Sequence, residues 1–141
     1  MAVYGLGYNG IKDSGTFKIE PTLAATIATT LEAEEGKAYA IDGDGLVGYG
    51  TAGDPVFGIV EKVRKEDNNS DVLLASLKLT GFVEGVAITS VTDAAPVAGK
   101  AVCVDGSGGV QIAATNATTD LISRARAFSV DTTGKTAIIQ L

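Results

Sequence analysis

The chain has 141 residues, a net charge of −6 and a hydrophobic fraction of 45%. This length fits one domain, and the acidic charge argues against a nucleic-acid partner, because phosphate binding requires a clustered positive surface. Because there is no apolar run of about 18 residues and no charged, apolar leader, we expect neither a membrane-spanning segment nor export by the usual route.

Residues 1–21 differ in composition from the rest of the chain and are predicted to form an extended N-terminal arm. Residues 1–11 alternate glycine with bulky apolar side chains, a pattern with too little helix or strand propensity to fold alone. Disordered tails are usually poor in aromatic residues, so an arm that orders on a partner is preferred over a frayed terminus. The side chains expected to bind the partner are Val3, Tyr4, Leu6, Tyr8 and Ile11.

The segment that follows contains one predicted strand and one ambiguous stretch. Residues 16–20 alternate polar and apolar side chains, as in a short strand. Residues 22–35 can be interpreted in two ways, because Leu23, Ile27 and Leu31 repeat as on a helix face whereas the threonines favour an extended chain. The choice stays open, with extended structure preferred.

A repeated hairpin is the most informative feature of the remaining sequence. Gly-Lys-Ala at residues 36–38 is followed by an alternating strand, an Asp-Gly turn and a second short strand, and the same order returns from residue 99. Such a repeat predicts two antiparallel hairpins in one small β domain with internal pseudo-symmetry. We expect residues 36–64 and 99–141 to superpose as related units.

The alternation within the repeat also predicts which side chains are buried, since successive residues of a strand point to opposite faces. The residues expected to point into one shared core are Tyr39, Ile41, Val102 and Val104. Cys103 aligns with Ala40, which predicts a small, semi-buried packing position rather than a reactive thiol.

The predicted fold is all-β, a small β-barrel or β-tulip-like domain over residues 22–141 that follows the arm. Charged and asparagine residues at 65–70 predict a solvated turn between two strands, and Asp-Thr-Thr-Gly at 131–134 predicts a turn into a paired C-terminal strand. The predicted strands are 55–64, 71–84, 123–130 and 135–141.

Two glycine motifs match known ligand loops in letters but lack the required context. Residues 5–10 match the dinucleotide pattern G-x-G-x-x-G, yet no buried strand precedes them and no helix is favoured after them. Residues 42–45 resemble the start of a calcium loop, but Gly53 stands where a bidentate acid is required. We therefore expect no cofactor and no metal, and interpret residues 42–45 as a hairpin turn.

No catalytic site is predicted, so we expect that the protein is not an enzyme. The chain has no histidine, the commonest general base, and nothing to activate Cys103 as a nucleophile. Arg124 and Arg126 are interpreted as surface charges or as partners for acids of a neighbouring subunit. The carboxylates interpreted as exposed are Glu32, Glu34, Glu35, Glu66 and Asp67.

The apolar arm, the paired G-K-A-x-x-x-D-G-x-G hairpins and the Ala/Gly/Val/Thr-rich strands resemble the head decoration, or capsid cement, proteins of tailed bacteriophages, of the lambda type. The resemblance covers residues 16–141 and is strongest at 34–64 and 97–141. It implies a β-barrel-like or tulip domain, and homotrimers at local threefold axes of the capsid. It also implies an arm that orders against the major capsid protein.

The same resemblance implies a role and a location. The protein would bind the outer capsid surface of the virion and stabilise it against the pressure of packaged DNA, after residing in the host cytoplasm during assembly. A β-rich binding module, such as an adhesin or carbohydrate-binding domain, is the alternative from another class and would need exposed aromatic residues grouped on the β domain. Another minor virion protein of the tail or head fibre is the closer alternative.

Overall fold

The computed structural model describes residues 13–88, 94–113 and 124–141. Strands dominate these residues, and the prediction of an all-β domain is confirmed. The elements in chain order are β1 (Ser14–Ile19), α1 (Pro21–Ile27), a 3₁₀ helix (Leu31–Glu34), β2 (Ala38–Ile41), β3 (Leu46–Gly48), β4 (Gly58–Glu66), β5 (Asn69–Lys78), β6 (Phe82–Ala87), β7 (Val102–Val104), β8 (Val110–Ile112), β9 (Arg126–Asp131) and β10 (Thr136–Gln140).

The first five strands close into a barrel in the order β1-β3-β2-β4-β5. The long antiparallel pair β4–β5 forms one wall, and β1 closes the ring because it pairs antiparallel with β5 and parallel with β3. Alternate residues of β5, Leu73, Ala75 and Leu77, are buried in the barrel core. This pairing shows that β1 is part of the domain.

The position of β1 corrects the predicted boundary between arm and domain. Residues 14–19, assigned to the arm with the rest of residues 1–21, are held in the barrel by backbone pairing on both sides. Ile19 is buried in the barrel core, so removing this strand from the domain would expose apolar surface and unpaired backbone groups. The arm therefore ends before Ser14.

The preference for extended structure at residues 22–35 is wrong, because this stretch contains α1 and the 3₁₀ helix. The Glu20 carboxylate caps α1 by accepting hydrogen bonds from the backbone N–H groups of Thr22 and Leu23. Leu23 and Ile27 are buried, as their spacing of four predicts for one helix face, while the threonines of α1 are exposed.

The second part of the chain forms the sheet β6-β10-β9, with β10 in the centre, and the hairpin β7–β8. The predicted C-terminal hairpin is confirmed by the pairing of β9 with β10, and the C-terminal strand is paired as expected. The predicted single strand at 71–84 is wrong, because the chain turns after Lys78 and β5 and β6 enter different sheets. Gly81 in this turn has φ +90, a conformation that glycine adopts without strain.

The two Gly-Lys-Ala segments adopt equivalent structures. Gly36 and Gly99 have φ +87 and +85, and each segment continues into an antiparallel hairpin. In each half, the strand that follows the hairpin forms hydrogen bonds with the equivalent backbone atoms of the Gly-Lys-Ala segment. The paired bonds are Gly36 N to Val60 O and Val60 N to Lys37 O in one case, and Gly99 N to Ala127 O and Ala127 N to Lys100 O in the other.

This equivalence extends over two halves of the molecule, the first half being residues 13–79 and the second half residues 81–141. The antiparallel pairs β1–β5 and β4–β5 of the first half match β6–β10 and β9–β10 of the second. One bulge also corresponds, because the ladder skips Glu61 in β4 and Phe128 in β9, whereas the further register shifts in β4–β5 and β6–β10 are not shared. The prediction of related units is therefore confirmed at the level of backbone pairing.

The prediction of one shared core for the four equivalent residues is wrong. Tyr39 is buried in the barrel core, whereas Val102 and Val104 lie in a second cluster between the halves. Ile41 is 62% exposed although its equivalent Val104 is fully buried. Tyr39 and Val102 lie in different clusters because β2 is a strand of the barrel and β7 is not. One face of β2 places Tyr39 in the barrel core, and the other face places Ala38 and Ala40 in the second cluster.

Candidate protein-binding surfaces

The predicted binding residues of the arm, Val3, Tyr4, Leu6, Tyr8 and Ile11, lie outside the described residues, as does the glycine motif at 5–10. The structure does show where the arm joins the domain. The backbone carbonyl of Asp13 accepts a hydrogen bond from Leu79 N at 2.7 Å, and its carboxylate accepts one from Thr80 Oγ1 at 3.0 Å. The root of the arm is thus fixed to the turn that leads into β6.

An exposed aromatic pair lies next to this turn. Phe82, the first residue of β6, and Phe128, the bulge residue of β9, are 57% and 63% exposed. Their rings meet edge to face, with centroids 5.3 Å apart and planes at 81°, although the central strand β10 separates their strands. Fully burying one such side chain is worth about 1.5–3 kcal/mol, so this pair favours binding to a partner.

These two phenylalanines were not predicted to form a group. The alternation of polar and apolar residues does not show that the pairing register of β9 with β10 shifts at Phe128. It also does not show that β6 and β9 lie on either side of β10. The bulge leaves both Phe128 and Ser129 exposed on consecutive positions of β9. The partial signal was that each of these strands contains one aromatic residue, while its other apolar residues are valine and alanine.

The charges around the aromatic pair are unevenly distributed. Arg126 is exposed on β9 two residues before Phe128, and both Arg126 and Phe82 are cross-strand partners of Gln140. At the opposite end of the same sheet, Asp131 is exposed beside Thr136 of the central strand. The sheet therefore has a cation at the Gln140 end, beside the aromatic pair, and an acid at its other end.

A second exposed apolar surface lies on the barrel around Ile41, and we call it the Ile41 groove. Ile41 lines two cavities of about 270 and 170 Å³. Phe17 and Phe57 line the smaller one and form an edge-to-face pair with centroids 5.0 Å apart. One acid, Asp54, lines the larger cavity, and two further acids, Asp42 and Asp44, follow Ile41 in the turn to β3.

Glu34 is buried, which corrects its interpretation as an exposed charge. It is 1% exposed and accepts hydrogen bonds from Tyr39 Oη at 2.8 Å, from Tyr49 Oη at 2.7 Å and from Lys37 Nζ at 2.7 Å. Lys37 also donates to Tyr49 Oη at 2.9 Å. The signal in the sequence was a lysine three residues after Glu34, with one tyrosine on β2 and another directly after β3.

The pKa shifts in this cluster indicate a structural role. Burial raises the pKa of Tyr39, and the adjacent Glu34 carboxylate raises it further. Burial also raises the pKa of Tyr49. Burial by itself lowers the pKa of Lys37, but its hydrogen bonds to Glu34 and Tyr49 outweigh this effect and the pKa rises. Both tyrosines therefore stay neutral and the lysine stays charged at neutral pH, as suits a fixed hydrogen-bond cluster.

This cluster lies where the two repeated hairpins meet. Gly108, in the turn of the second hairpin, accepts a hydrogen bond at its carbonyl from Ala38 N at 2.9 Å. A side-chain carbon at Gly108 would lie 2.8 Å from Lys37 Cδ and 3.1 Å from Tyr49 Cε1. The cluster thus supports the packing of one half of the molecule against the other.

The other sequence-predicted positions have structural roles. Cys103 and Ala40 are both buried, and burial raises the pKa of the Cys103 thiol, so it is protonated at neutral pH. Asp105 stabilises its hairpin turn by accepting hydrogen bonds from Ser107 N and Gly109 N, whereas Asp42 accepts one from Gly50 N, beyond the end of β3. Among the described residues there is no group of three or more potential metal ligands. None of the helices described is long and apolar enough to cross a membrane.

Comparisons with family models, with curated proteins and with solved structures give no match to this chain. A function is therefore inferred from the surfaces described above and from the resemblance of the sequence pattern. Both surfaces are apolar and exposed, and the aromatic pair adjoins the root of the arm. Exposed apolar surfaces of this kind are typical of protein–protein binding.

Proposed function

We propose that the protein is a structural protein that decorates the outer surface of a tailed-phage capsid and stabilises it against the pressure of packaged DNA. The observation that carries this proposal is the fixed root of the arm beside the exposed aromatic pair. Asp13 is bound to the turn through both its backbone and its side chain, and Phe82 follows that turn directly. An apolar arm and an exposed apolar sheet face therefore meet at one place.

The arm is proposed to bind the major capsid protein. Its glycines allow an extended path, and its apolar side chains would become buried on the partner, which offsets the cost of ordering the segment. An extended segment can add a strand to an exposed sheet edge, where backbone hydrogen bonds give affinity and alternate side chains fill pockets. Copies joined to one another would engage several capsid sites at once, so each arm needs only modest affinity.

The test uses capsids of the phage that encodes the protein, prepared without it. Wild-type protein is expected to co-sediment with the capsids and to raise the temperature at which they release DNA. Deleting residues 1–12, which precede the anchored Asp13, is expected to weaken binding at least about tenfold, because several apolar side chains lose their burial. Binding of the truncated protein with unchanged affinity would remove the arm from the proposal.

A matched control keeps the arm and changes only its bound side chains. A variant with Tyr4, Leu6 and Tyr8 replaced by serine has the length of the wild type and is expected to bind as weakly as the deletion. Both variants are expected to unfold at the wild-type temperature, because the anchored domain begins at Asp13. Failure of the wild-type protein to bind any capsid preparation would contradict the proposed function.

The aromatic pair also favours a second candidate, a β-rich binding module. Phe82 and Phe128 are grouped and exposed, as an adhesin or carbohydrate-binding domain requires. Binding to a glycan array that is lost in Phe82→Ser and retained after deletion of residues 1–12 would favour this candidate. Binding to tails or fibres instead of capsids would favour another minor virion protein.

A further inference from the structure

We propose that neighbouring copies of the chain bind head to tail, with the Ile41 groove of one copy covered by the β9 side of the second half of the next copy. The β9 side is defined as Arg124, Arg126, Phe128 and the adjoining Phe82. This contact deepens the proposed function, because it would join the copies that sit on the capsid, but it can be tested in solution without a capsid.

The internal repeat indicates that the Ile41 groove is a contact surface. Ile41 and Val104 occupy equivalent positions, yet Val104 is fully buried and Ile41 is largely exposed. Val104 is covered by the first half of its own chain, because its backbone exchanges hydrogen bonds with Gly53 and Asp54 at 2.9 and 3.0 Å. Val104 therefore lies in a contact between the two halves of one chain. Ile41 is exposed at the equivalent position, where the second half of another copy can contact it.

The repeat also indicates which side of the second half faces the groove. The residues that cover Val104 come shortly before β4, and β9 is the equivalent of β4. By the same geometry, the part of the second half that would cover Ile41 comes shortly before β9, and the described residues nearest to it in the chain are those at the start of β9. Arg124 and Arg126 lie there, with exposed Phe128 two residues further along the strand.

The two surfaces are complementary in charge and shape. The groove offers apolar cavities with Asp54 in their lining and with Asp42 and Asp44 in the turn that follows Ile41, whereas the β9 side offers exposed aromatic rings near two arginines. Opposite charges steer the encounter and fix the orientation, while the buried aromatic rings supply most of the affinity. For a chain of net charge −6, this local pairing also offsets the general repulsion between copies.

The two surfaces differ, so the contact is heterologous and can be repeated around a ring. A contact of this kind closes into a ring when its rotation allows, and three copies would give the threefold arrangement that the sequence resemblance implies. The arms would then emerge beside each contact, because the root of the arm adjoins Phe82. Several arms would be presented to the capsid together.

Sedimentation equilibrium over a range of concentrations tests the contact. Wild-type protein is expected to associate, and association should weaken with salt. Ile41→Lys in the groove and Phe128→Glu on β9 change exposed side chains, and each is expected to raise the dissociation constant at least about tenfold. Val97→Lys, at an exposed apolar residue outside both surfaces, is the matched control and should associate like the wild type.

Mixing the two variants shows whether the contact is head to tail. Each variant keeps one intact surface, so the mixture should reach a higher mass than either variant alone at the same total concentration. Charge reversal gives a second measurement, because Arg126→Asp should weaken association and the added change Asp54→Arg should restore it.

Wild-type protein that stays monomeric at its highest soluble concentration would contradict the proposed contact. So would Ile41→Lys and Phe128→Glu variants that associate like the wild type, or a mixture of the two variants whose mass is no higher than that of each variant alone. Any of these results leaves capsid binding to be measured independently. A protein that associates as expected but binds no capsid would instead contradict the proposed function.

Discussion

The two halves of the molecule share one backbone plan but carry different surfaces. In the first half the strands β1–β5 close into a barrel, whereas the equivalent strands of the second half form the sheet β6-β10-β9 and the hairpin β7–β8. The bulge residue is Glu61 in the first half and Phe128 in the second. The strand pairing thus tolerates an acid or an aromatic ring at the same exposed position, and this freedom allows the surfaces to acquire separate roles.

The buried residues are also partly shared between the two halves and partly different. Leu77 and Ile139 occupy equivalent positions opposite a bulge, and both are fully buried. Glu34 is buried in a hydrogen-bond cluster, whereas its equivalent in the repeat, Val97, is 49% exposed. The apolar core positions are therefore kept in both halves, while the polar cluster that joins the hairpins is found in one.

The largest expected effect comes from Glu34. Glu34→Gln keeps the size of the side chain but removes the charge that accepts hydrogen bonds from two tyrosines and a lysine. We expect a loss of about 2 kcal/mol in the free energy of unfolding, measured by urea denaturation. Val97→Gln at the equivalent exposed position should change this free energy by less than about 0.5 kcal/mol. Equal effects of the two substitutions would contradict the asymmetry between the halves.

The next expected effect is a loss of stability at alkaline pH. The pKa values of Tyr39, Tyr49 and Lys37 are raised on folding, so the folded state holds their protons more tightly than the unfolded state. Their contribution is fully present below the ordinary tyrosine pKa of about 10 and is lost as the pH rises above it. Each group adds a slope of up to about 1.4 kcal/mol per pH unit.

The alkaline slope is measured from the free energy of unfolding between neutral pH and about pH 11, just above the ordinary pKa values of tyrosine and lysine. Tyr39→Phe removes one titrating group and should make the slope shallower, although the variant is less stable at neutral pH because Glu34 loses a donor. A slope that is unchanged in Tyr39→Phe would show that this tyrosine does not contribute to it.

The smallest expected effect on stability comes from exchanging the bulge residues. Phe128→Glu and Glu61→Phe, made separately and together, should each change the free energy of unfolding by less than about 0.5 kcal/mol, because both positions are exposed. Calorimetry of the three variants checks this expectation. A loss of several kcal/mol in Phe128→Glu would show that the aromatic pair stabilises the fold instead of serving a partner.

Much of the fold could be predicted because it depends on neighbouring residues in the chain. Alternating side chains specify strands, and Asp-Gly turns specify hairpins, so the repeated hairpins and the C-terminal hairpin followed from the sequence. The spacing of Leu23 and Ile27 contained the helical signal for α1, but the cap from Glu20 and burial against the barrel decided between helix and strand.

The sequence by itself determined the all-β class, the repeat and its turns, because these depend on the period of two and on glycine conformations within a few residues. Only the tertiary structure decided that Val104 is covered while Ile41 is open, that Glu34 is buried, and that Phe82 meets Phe128. Each of these outcomes depends on which distant strand lies alongside, and on where a ladder slips by one residue. Local pattern does not contain that information, because equivalent sequences in the two halves have different neighbours in space.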